Sequence, residues 1–161
     1  MRDLAALVDA LRAHGLTVAV AESLTGGLVV ADLVAVPGVS SILHGGVVAY
    51  ATPLKRDVIG VDADLLDEHG AVHPEVARQL AERVRHALAV DGRDARVGIG
   101  TTGVAGPDPQ DGVPPGTAYV AVAIDDRTEI RGIDVTGDRA AVRAAAVSAA
   151  FDLLGEMLGA L

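Results

Sequence analysis

Apolar residues recur along this sequence at two spacings, one typical of helices and one typical of strands. Near the start, Leu4, Leu7 and Leu11 lie three or four positions apart and Gly15 follows them, which predicts an amphipathic helix. Short continuous apolar runs between Gly-rich turns predict buried strands. Helices are predicted over residues 3–14, 28–36, from 52 through Lys55, and over 62–68, 74–90 and 138–159. Strands are predicted over residues 17–21, 46–51, 96–100, 117–124 and 128–135.

The order of these elements indicates the fold class. Strands and helices alternate in the first half, and a predicted hairpin and a long helix close the chain. This order predicts one three-layer α/β/α domain over residues 1–161, with a mixed, mainly parallel sheet. Residues 101–116 hold four Pro and four Gly and form the longest predicted irregular stretch, and loops of this length are often functional. Thr52 is expected to cap the helix that carries Lys55, with Pro53 at its first position.

Composition and charge exclude several classes of function. The 161 residues are 50% hydrophobic and 22% charged, which is typical of a folded globular protein. A net charge of −9 repels anionic polymers and membranes, and 2% aromatic residues leave little surface for stacking bases. The longest apolar run, residues 28–36, is broken by Asp32 and is shorter than the roughly 20 residues of a membrane span. We therefore expect a cytoplasmic protein without long nucleic acid or membrane partners. The absence of Cys excludes disulfide and thiolate chemistry.

Two turns rich in Gly and hydroxyl residues follow predicted strands. The first is Glu-Ser-Leu-Thr-Gly-Gly at residues 22–27, and the second is Gly-Thr-Thr-Gly-Val-Ala-Gly-Pro at residues 100–107. Because the carboxyl ends of parallel strands meet at one edge of a sheet, the two turns are expected to form one pocket. Free backbone N–H groups at a helix start can bind an anion or stabilise an oxyanion. The spacing alone leaves a second interpretation open, in which Ser23 or Thr25 only caps a helix and the glycines only allow close packing.

Metal chemistry is not indicated by the sequence. His69 and His73 are four residues apart, but Gly70 and Pro74 place them in a break between helices, and His73 is expected to cap or precede the helix that follows. Acidic residues in turns are more often solvated than bound to a metal. That interpretation covers Asp62, Asp64, Asp108 and Asp111. We expect neither a metal nor a cofactor.

Three basic residues are chemically distinctive. Twelve of the thirteen basic residues are Arg and only Lys55 is Lys, a side chain that can lose its proton inside a protein whereas Arg cannot. Arg139 begins the last predicted helix, where it can either reach a phosphate or remain a surface charge. Arg143, one turn later, is expected to form an ion pair on the helix surface.

A series of short segments, in order and with matching spacing over nearly the whole chain, resembles the CinA C-terminal domain family. The segments are Ala21–Gly27, Pro37–Ser40, Gly45–Tyr50, Lys55, Gly60–Val61, Glu68–Val72, Thr102–Pro107, Pro115–Thr117 and Gly137–Arg139. Leu24 is a departure, because many relatives have Cys there. The resemblance implies a stand-alone nicotinamide-nucleotide amidase, which hydrolyses the carboxamide of nicotinamide mononucleotide to nicotinate mononucleotide and ammonia. It also implies a homo-oligomer, with a dimer as the first choice.

The same resemblance assigns roles to residues. It implies Ser23 as nucleophile and Lys55 as base, with Tyr50, Thr102, Gly103 and Arg139 around the substrate. The two Gly-rich turns add further expected substrate-binding residues, namely Thr25, Gly26, Gly27 and Gly106.

The chemistry can also be argued from the residues. A serine becomes a strong nucleophile only when a neighbour takes its proton, and no Cys or suitably placed His is available here. Lys55 is therefore the first candidate base and Glu22 the next, and Lys55 would need a pKa of roughly 7 to 8 instead of about 10.4. N–H groups near Gly26 or Gly103 are candidates for the oxyanion site. The competing hypothesis is a non-catalytic nucleotide-binding module that uses the same pocket to regulate a partner.

Overall fold

The computed structural model describes residues 3–161; the first two residues of the predicted domain lie outside the described part. The helices are α1 (Leu4–Ala13), α2 (Leu28–Val34), α3 (Thr52–Asp57), α4 (Ala63–His69), α5 (Pro74–Ala87) and α6 (Arg139–Leu158), with a short 3-10 helix at Val39–Ser41. The strands are β1 (Val18–Glu22), β2 (Leu43–Val48), β3 (Val97–Gly103), β4 (Thr117–Ile124) and β5 (Arg127–Asp134).

The strands form one mixed sheet in the order β2-β1-β3-β4-β5. Strand β1 pairs in parallel with both β2 and β3, whereas β4 runs antiparallel to β3 and to β5. Only β4 therefore opposes the common direction, and the predicted mixed, mainly parallel sheet is confirmed. The carboxyl ends of β1, β2 and β3 lie at the same edge, which is where ligands bind in open α/β sheets.

Side chains that alternate along β1 show why helices cover both faces of the sheet. Val18 and Val20 pack into a core shared with α1, α2 and α6. Ala19 and Ala21 point to the opposite face and pack with apolar residues of α5. On β3, glycines let α5 approach closely, because a Cβ at Gly98 would lie 1.8 Å from a backbone oxygen of the helix. The α/β/α layering expected from the element order is therefore present.

Helix boundaries follow local capping rules, with one difference from the prediction. The side chain of His73 accepts the N–H of Glu75 at the start of α5, as expected, and Asp138 accepts the N–H of Ala141 at the start of α6. The cap of α3 is Ala51 and not Thr52, because Ala51 is the last residue with extended backbone angles. Thr52 therefore lies inside the helix.

Two strand boundaries also differ from the prediction. Strand β2 begins at Leu43, three residues earlier than expected, because its pairing starts opposite Val18. Strand β3 extends through Gly103 into the stretch predicted as irregular, because Gly103 still pairs with Ala118 of the following hairpin. Cross-strand pairing, which the local sequence does not display, sets both limits.

The remaining Pro-rich loop contains a tight turn. The backbones of Gln110 and Val113 exchange two hydrogen bonds of 3.0 and 2.8 Å. Asp111 and Gly112 between them both have positive φ, the conformation of the two-residue turns that join β-hairpins. The loop therefore extends as a small hairpin beside the carboxyl edge of the sheet.

Candidate active site

A cavity of about 270 Å³ opens at the carboxyl edge of the sheet. Its walls come from the segments that follow β1 and β2, from the end of β3, from the Pro-rich loop and from the start of α6. The lining residues are Ser23, Leu24, Tyr50, Ala71, Val72, Thr102, Gly103, Val104, Ala105, Gly106, Asp108, Pro109, Gln110 and Arg139. The structure thus brings the two Gly-rich turns together at one pocket, as their position after neighbouring strands predicts.

Ser23 lies one residue beyond β1 and is held against β3. Its backbone N–H donates to the carbonyl of Thr101 at 3.1 Å and approaches the hydroxyl of the same residue at 3.3 Å. That hydroxyl is also hydrogen-bonded to the hydroxyl of Thr25 at 2.8 Å. The Ser23 side chain is therefore almost buried, with its remaining exposure at the cavity.

The buried carboxylate of Glu22 organises the turn behind Ser23. It accepts the backbone N–H groups of Gly27, Val29 and Val30 at 3.0, 3.1 and 3.0 Å, and so caps the first turn of α2. Because its oxygens are committed to these three donors, Glu22 is poorly placed to serve as a general base. The carboxylate also occupies the N–H groups that the helix start was expected to offer to an anion.

Residues 25–27 of this Gly-rich turn consequently support the cavity but do not line it. The N–H of Gly26 donates to the carbonyl of Ser23 at 3.1 Å, and the N–H of Leu28 donates to the carbonyl of Thr25 at 3.3 Å. Thr25, Gly26 and Gly27 are absent from the residues that line the cavity. The structure therefore places these three expected substrate-binding residues behind the pocket.

Lys55 is the largest fully buried side chain of the described residues, with 1% exposure. Its Nζ donates to the carbonyl oxygens of Ala49 at 2.9 Å and Tyr50 at 3.1 Å. Burial lowers the pKa of Lys55 from 10.5 to about 8. The amine is therefore close to the range in which a lysine can exchange protons near neutral pH.

Sheet pairing brings Lys55 to the same edge as Ser23. The N–H of Ala49 donates to the carbonyl of Glu22 at 2.8 Å, so the segment that holds the amine continues the β1–β2 pairing alongside the turn that carries Ser23. Neither hydrogen bond of Nζ goes to Ser23, and Lys55 lies behind the cavity wall. The two groups are neighbours in the fold without a direct hydrogen bond in this structure.

Arg139 joins two walls of the cavity at its mouth. Its guanidinium donates to the carbonyl of Gly106 at 2.9 Å and to the hydroxyl of Tyr50 at 2.8 Å. On the inner wall, the hydroxyl of Thr102 donates to the carbonyl of Ala71 at 2.6 Å. Arg139 and Asp108 bring opposite charges to the lining, so the cavity is polar and electrostatically asymmetric.

The backbone N–H of Gly103 points to the side of β3 that faces Ser23. Along a strand, successive N–H and C=O groups point to alternate sides, and the carbonyl of Thr101 points toward β1, where it accepts from Ser23. The N–H of Gly103, two residues later, points to the same side, at the place where β1 has ended. A side chain is not tolerated there, because a Cβ on Gly103 would lie 2.5 Å from that of Ala118.

Comparison with known proteins identifies the family. The family model described as the CinA C-terminal domain matches residues 2–158. This chain belongs to the CinA C-terminal domain family. A CinA-like protein of Frankia casuarinae is 45% identical over 145 residues, which are 90% of this chain and 32% of that protein. The chain spans about a third of the length of the curated relatives it matches.

Solved structures of the CinA superfamily share the fold over nearly the whole of this chain. One from Klebsiella pneumoniae superposes with a TM-score of 0.89 at 32% identity and covers 99% of this chain and 100% of its own. One from Escherichia coli superposes with a TM-score of 0.87 at 30% identity and covers 98% of this chain and 88% of its own. The α/β architecture of this CinA domain is therefore that of the superfamily.

Several features of this CinA domain were not predicted from its sequence. Ala71 and Val72 line the cavity, although their segment was noted only as part of the resemblance. Arg143 does not form the expected surface ion pair and instead donates to backbone carbonyls of the Ser23 turn. Neither a carboxylate that caps a helix beginning six residues later, as Glu22 does, nor an Arg that binds the main chain leaves a periodic signal in a sequence.

Other polar side chains that the sequence analysis named contact neighbouring residues of the fold. The rings of His69 and His73 stack with centroids 4.6 Å apart. Asp111 lies beside Gly70, since a Cβ on that glycine would be 2.9 Å from its carboxylate. Within residues 3–161, no group of three or more His, Asp or Glu side chains has a geometry suited to a metal ion. In the same range, each helix is too short or too polar to cross a membrane.

Proposed function

We propose that residues 1–161 form a single amidase domain that hydrolyses the carboxamide of nicotinamide mononucleotide to nicotinate mononucleotide and ammonia. The observation that carries this proposal is the buried amine of Lys55, which has a pKa of about 8 and lies at the same sheet edge as Ser23. A buried lysine with a lowered pKa beside a hydroxyl at a cavity is the arrangement that a serine amidohydrolase with a lysine base requires.

The hydrogen bonds of Lys55 suit it to accept a proton. A neutral amine has two N–H donors and one lone pair. If the two donors stay on the carbonyls of Ala49 and Tyr50, the lone pair points away from both and is free to take the proton of Ser23.

The proposed reaction has two half-reactions. Lys55 takes the hydroxyl proton as the Ser23 oxygen bonds to the carboxamide carbon, and the carbonyl oxygen becomes an oxyanion. The C–N bond then breaks as Lys55 returns its proton to the leaving nitrogen, which gives ammonia and a nicotinoyl ester on Ser23. Water, deprotonated by Lys55, attacks the ester, and the proton returns to Ser23 as nicotinate mononucleotide leaves. The side chains supply both nucleophile and base, so the scheme needs no metal or cofactor.

The strand geometry favours Gly103 over Gly26 as an oxyanion donor. The N–H of Gly26 is engaged by Ser23 within its own turn, whereas that of Gly103 is directed toward the nucleophile at the end of β3. A preorganised backbone donor of this kind typically contributes about 100- to 1,000-fold to the rate. We assign Thr102 to the neighbouring wall, where its bond to Ala71 fixes the end of the strand.

The cavity mouth supports a mononucleotide substrate. Arg139 is the cation of the lining, and a guanidinium that already spans Tyr50 and Gly106 still has donors for a phosphate. The volume of about 270 Å³ lies just below the roughly 300 to 1,000 Å³ of ligand pockets, which favours a mononucleotide over a dinucleotide. We further propose that the protein acts in pyridine nucleotide salvage in the cytoplasm as a homo-oligomer, with a dimer as the first choice.

One observation favours a second candidate, a non-catalytic nucleotide-binding module. Both hydrogen bonds of Lys55 go to backbone carbonyls and neither to Ser23, which would also suit a lysine that only stabilises the segment after β2. Under this alternative the cavity binds a nucleotide and regulates a partner without turnover.

Ammonia release separates the two candidates. Purified protein is incubated with nicotinamide mononucleotide, ammonia is followed by a coupled assay, and nicotinate mononucleotide is identified by mass spectrometry. We expect turnover in the wild type and none in Ser23→Ala, with the fold retained because a lost turn hydroxyl costs at most about 2 kcal/mol. Ser41→Ala, on the 3-10 helix away from the cavity, is the matched control. A folded Ser23→Ala variant with substantial turnover would exclude Ser23 as the nucleophile, and a wild type that binds nucleotide without turnover would support the regulatory module.

A further inference from the structure

Arg143 reaches the turn that carries Ser23. It lies on α6 four residues after Arg139, but it contacts the backbone of the turn that carries Ser23 and does not line the cavity. Its Nε donates to the carbonyl of Leu24 at 2.9 Å, and its Nη2 donates to the carbonyl of Thr25 at 2.9 Å. The guanidinium therefore binds the two peptide groups that directly follow the proposed nucleophile.

This contact is unusually specific for a helix-surface arginine. Among residues 3–161, no carboxylate forms an ion pair with Arg143 at 4.0 Å or less, so its recorded polar contacts are the two carbonyl oxygens. The planar fork of a guanidinium matches two acceptors in fixed relative positions, which a lysine ammonium cannot do. Two successive peptide planes are thereby held in one orientation.

The rest of the turn is fixed from other directions. Thr101 on β3 holds the N–H of Ser23, and Glu22 holds the start of α2. Arg143 adds the connection to α6, and it packs closely, since a Cβ on Gly26 would lie 3.3 Å from its Nη2. Within residues 3–161, Arg143 is the only side chain that donates to the carbonyls of Leu24 and Thr25, so its removal leaves both without a side-chain donor.

We propose that Arg143 is a positioning residue that orients Ser23 for attack through the carbonyls of Leu24 and Thr25, without touching the substrate. This inference rests on the proposed amidase function. Its physical basis is the sensitivity of nucleophilic attack to alignment, because a displacement of about 1 Å at the reacting atom can cost on the order of 100-fold in rate. The proposal differs from a purely structural role in one respect: the reactivity of Ser23 should fall by more than the stability of the fold explains.

Arg85 provides a matched control. It also donates from one guanidinium to two backbone carbonyls, those of Ala95 at 2.9 Å and Asp125 at 2.6 Å. These carbonyls belong to the segments that precede β3 and follow β4, at the opposite edge of the sheet. Arg85→Met therefore removes the same kind of interaction as Arg143→Met but leaves the Ser23 turn intact.

The test uses the full chain and two readouts. The first is kcat and KM for nicotinamide mononucleotide, and the second is the rate at which a fluorophosphonate labels Ser23, followed by mass spectrometry. We expect Arg143→Met to lower kcat and the labelling rate by about 10- to 100-fold, with KM changing less than kcat. Arg85→Met should leave both rates near those of the wild type. Arg143→Lys, which keeps the charge but replaces the planar fork with a single ammonium group, should be intermediate and is the variant to use if Arg143→Met fails to fold.

The outcomes distinguish the inference from the proposed function. If the wild type is labelled at Ser23 and both Arg143 variants react at the wild-type rate, the positioning role is overturned while the nucleophile stands. If Arg143→Met and Arg85→Met lose labelling equally, in proportion to lost stability, the role of Arg143 is only structural and the inference is again overturned. A wild type that neither releases ammonia nor labels at Ser23 overturns the proposed function, and the positioning role with it.

Discussion

Replacing Lys55 with methionine should change how the free energy of unfolding depends on pH. Methionine keeps an unbranched side chain of similar length but removes the amine. Burial lowers the pKa of Lys55 from 10.5 to about 8 in the folded protein, and in the unfolded chain the amine returns to its ordinary value. At about pH 7 the buried ammonium therefore destabilises the wild type by about 3 kcal/mol, since each pH unit between the two values is worth about 1.4 kcal/mol.

The sign of the pH dependence follows from proton binding. Between about pH 8 and 10.5 the unfolded chain holds a proton on Lys55 that the folded protein has lost. The free energy of unfolding of the wild type therefore rises with pH in this window. From about pH 7 to about pH 9.5 the gain attributable to Lys55 is about 2 kcal/mol, whereas methionine contributes none.

Urea unfolding of both proteins at these two pH values measures the effect. All other titrating groups are common to the pair, so the change in the difference between wild type and Lys55→Met isolates the amine. The two lost hydrogen bonds to Ala49 and Tyr50 shift the difference by a constant and leave its pH dependence unaltered. Arg56→Met, on the exposed face of the same helix, is the control and should show no such change. A difference that stays constant from pH 7 to 9.5 would refute a lowered pKa at Lys55 and remove the main support for a lysine base.

Three further predictions concern turnover of nicotinamide mononucleotide. Lys55→Arg should be as inactive as Lys55→Ala, with kcat lowered by about 100- to 10,000-fold, because Arg keeps the charge but cannot accept a proton. Substantial activity in the Arg variant would show that Lys55 acts through its charge and not as a base. The wild-type rate should fall as pH drops below about 8, because Lys55 must be neutral to act, and a flat profile between pH 6 and 9 would argue against it. Dialysis against EDTA should leave the rate unchanged, and a loss restored by one divalent ion would instead implicate acidic residues such as Asp108.

The fold was predictable because its signals are local and periodic. Helix α5 has apolar residues on one face and a Pro at its first position, and the hairpin of β4 and β5 is marked by polar residues at its turn. The end of β3 was not predictable, because Thr101 to Gly103 precede a Pro-rich loop and are strand only through pairing with β4. A strand boundary that depends on pairing with another strand cannot be predicted from the local sequence pattern.

The candidate site was predictable to the level of the turn but not of the atom. The Gly-rich segment after β1 indicated the edge of the sheet at which the cavity opens, yet its N–H groups are taken by Glu22, a residue that the sequence offered as an alternative base. The second turn, at the end of β3, contributes Thr102, Gly103 and Gly106 to the cavity wall. Contacts among residues distant in sequence decide which backbone N–H groups stay free to bind a ligand, and a sequence motif does not reveal which ones these are.

The single lysine among twelve arginines has a physical explanation at its position. A guanidinium at residue 55 would remain charged in a buried site that has only carbonyl oxygens as recorded partners, and its desolvation would be a permanent cost. An amine can instead escape that cost by releasing its proton, and the release is the property that a general base needs. The burial that destabilises the fold below pH 8 is therefore the same feature that prepares Lys55 to activate Ser23, so a variant that relieves the destabilisation should also lose the activity.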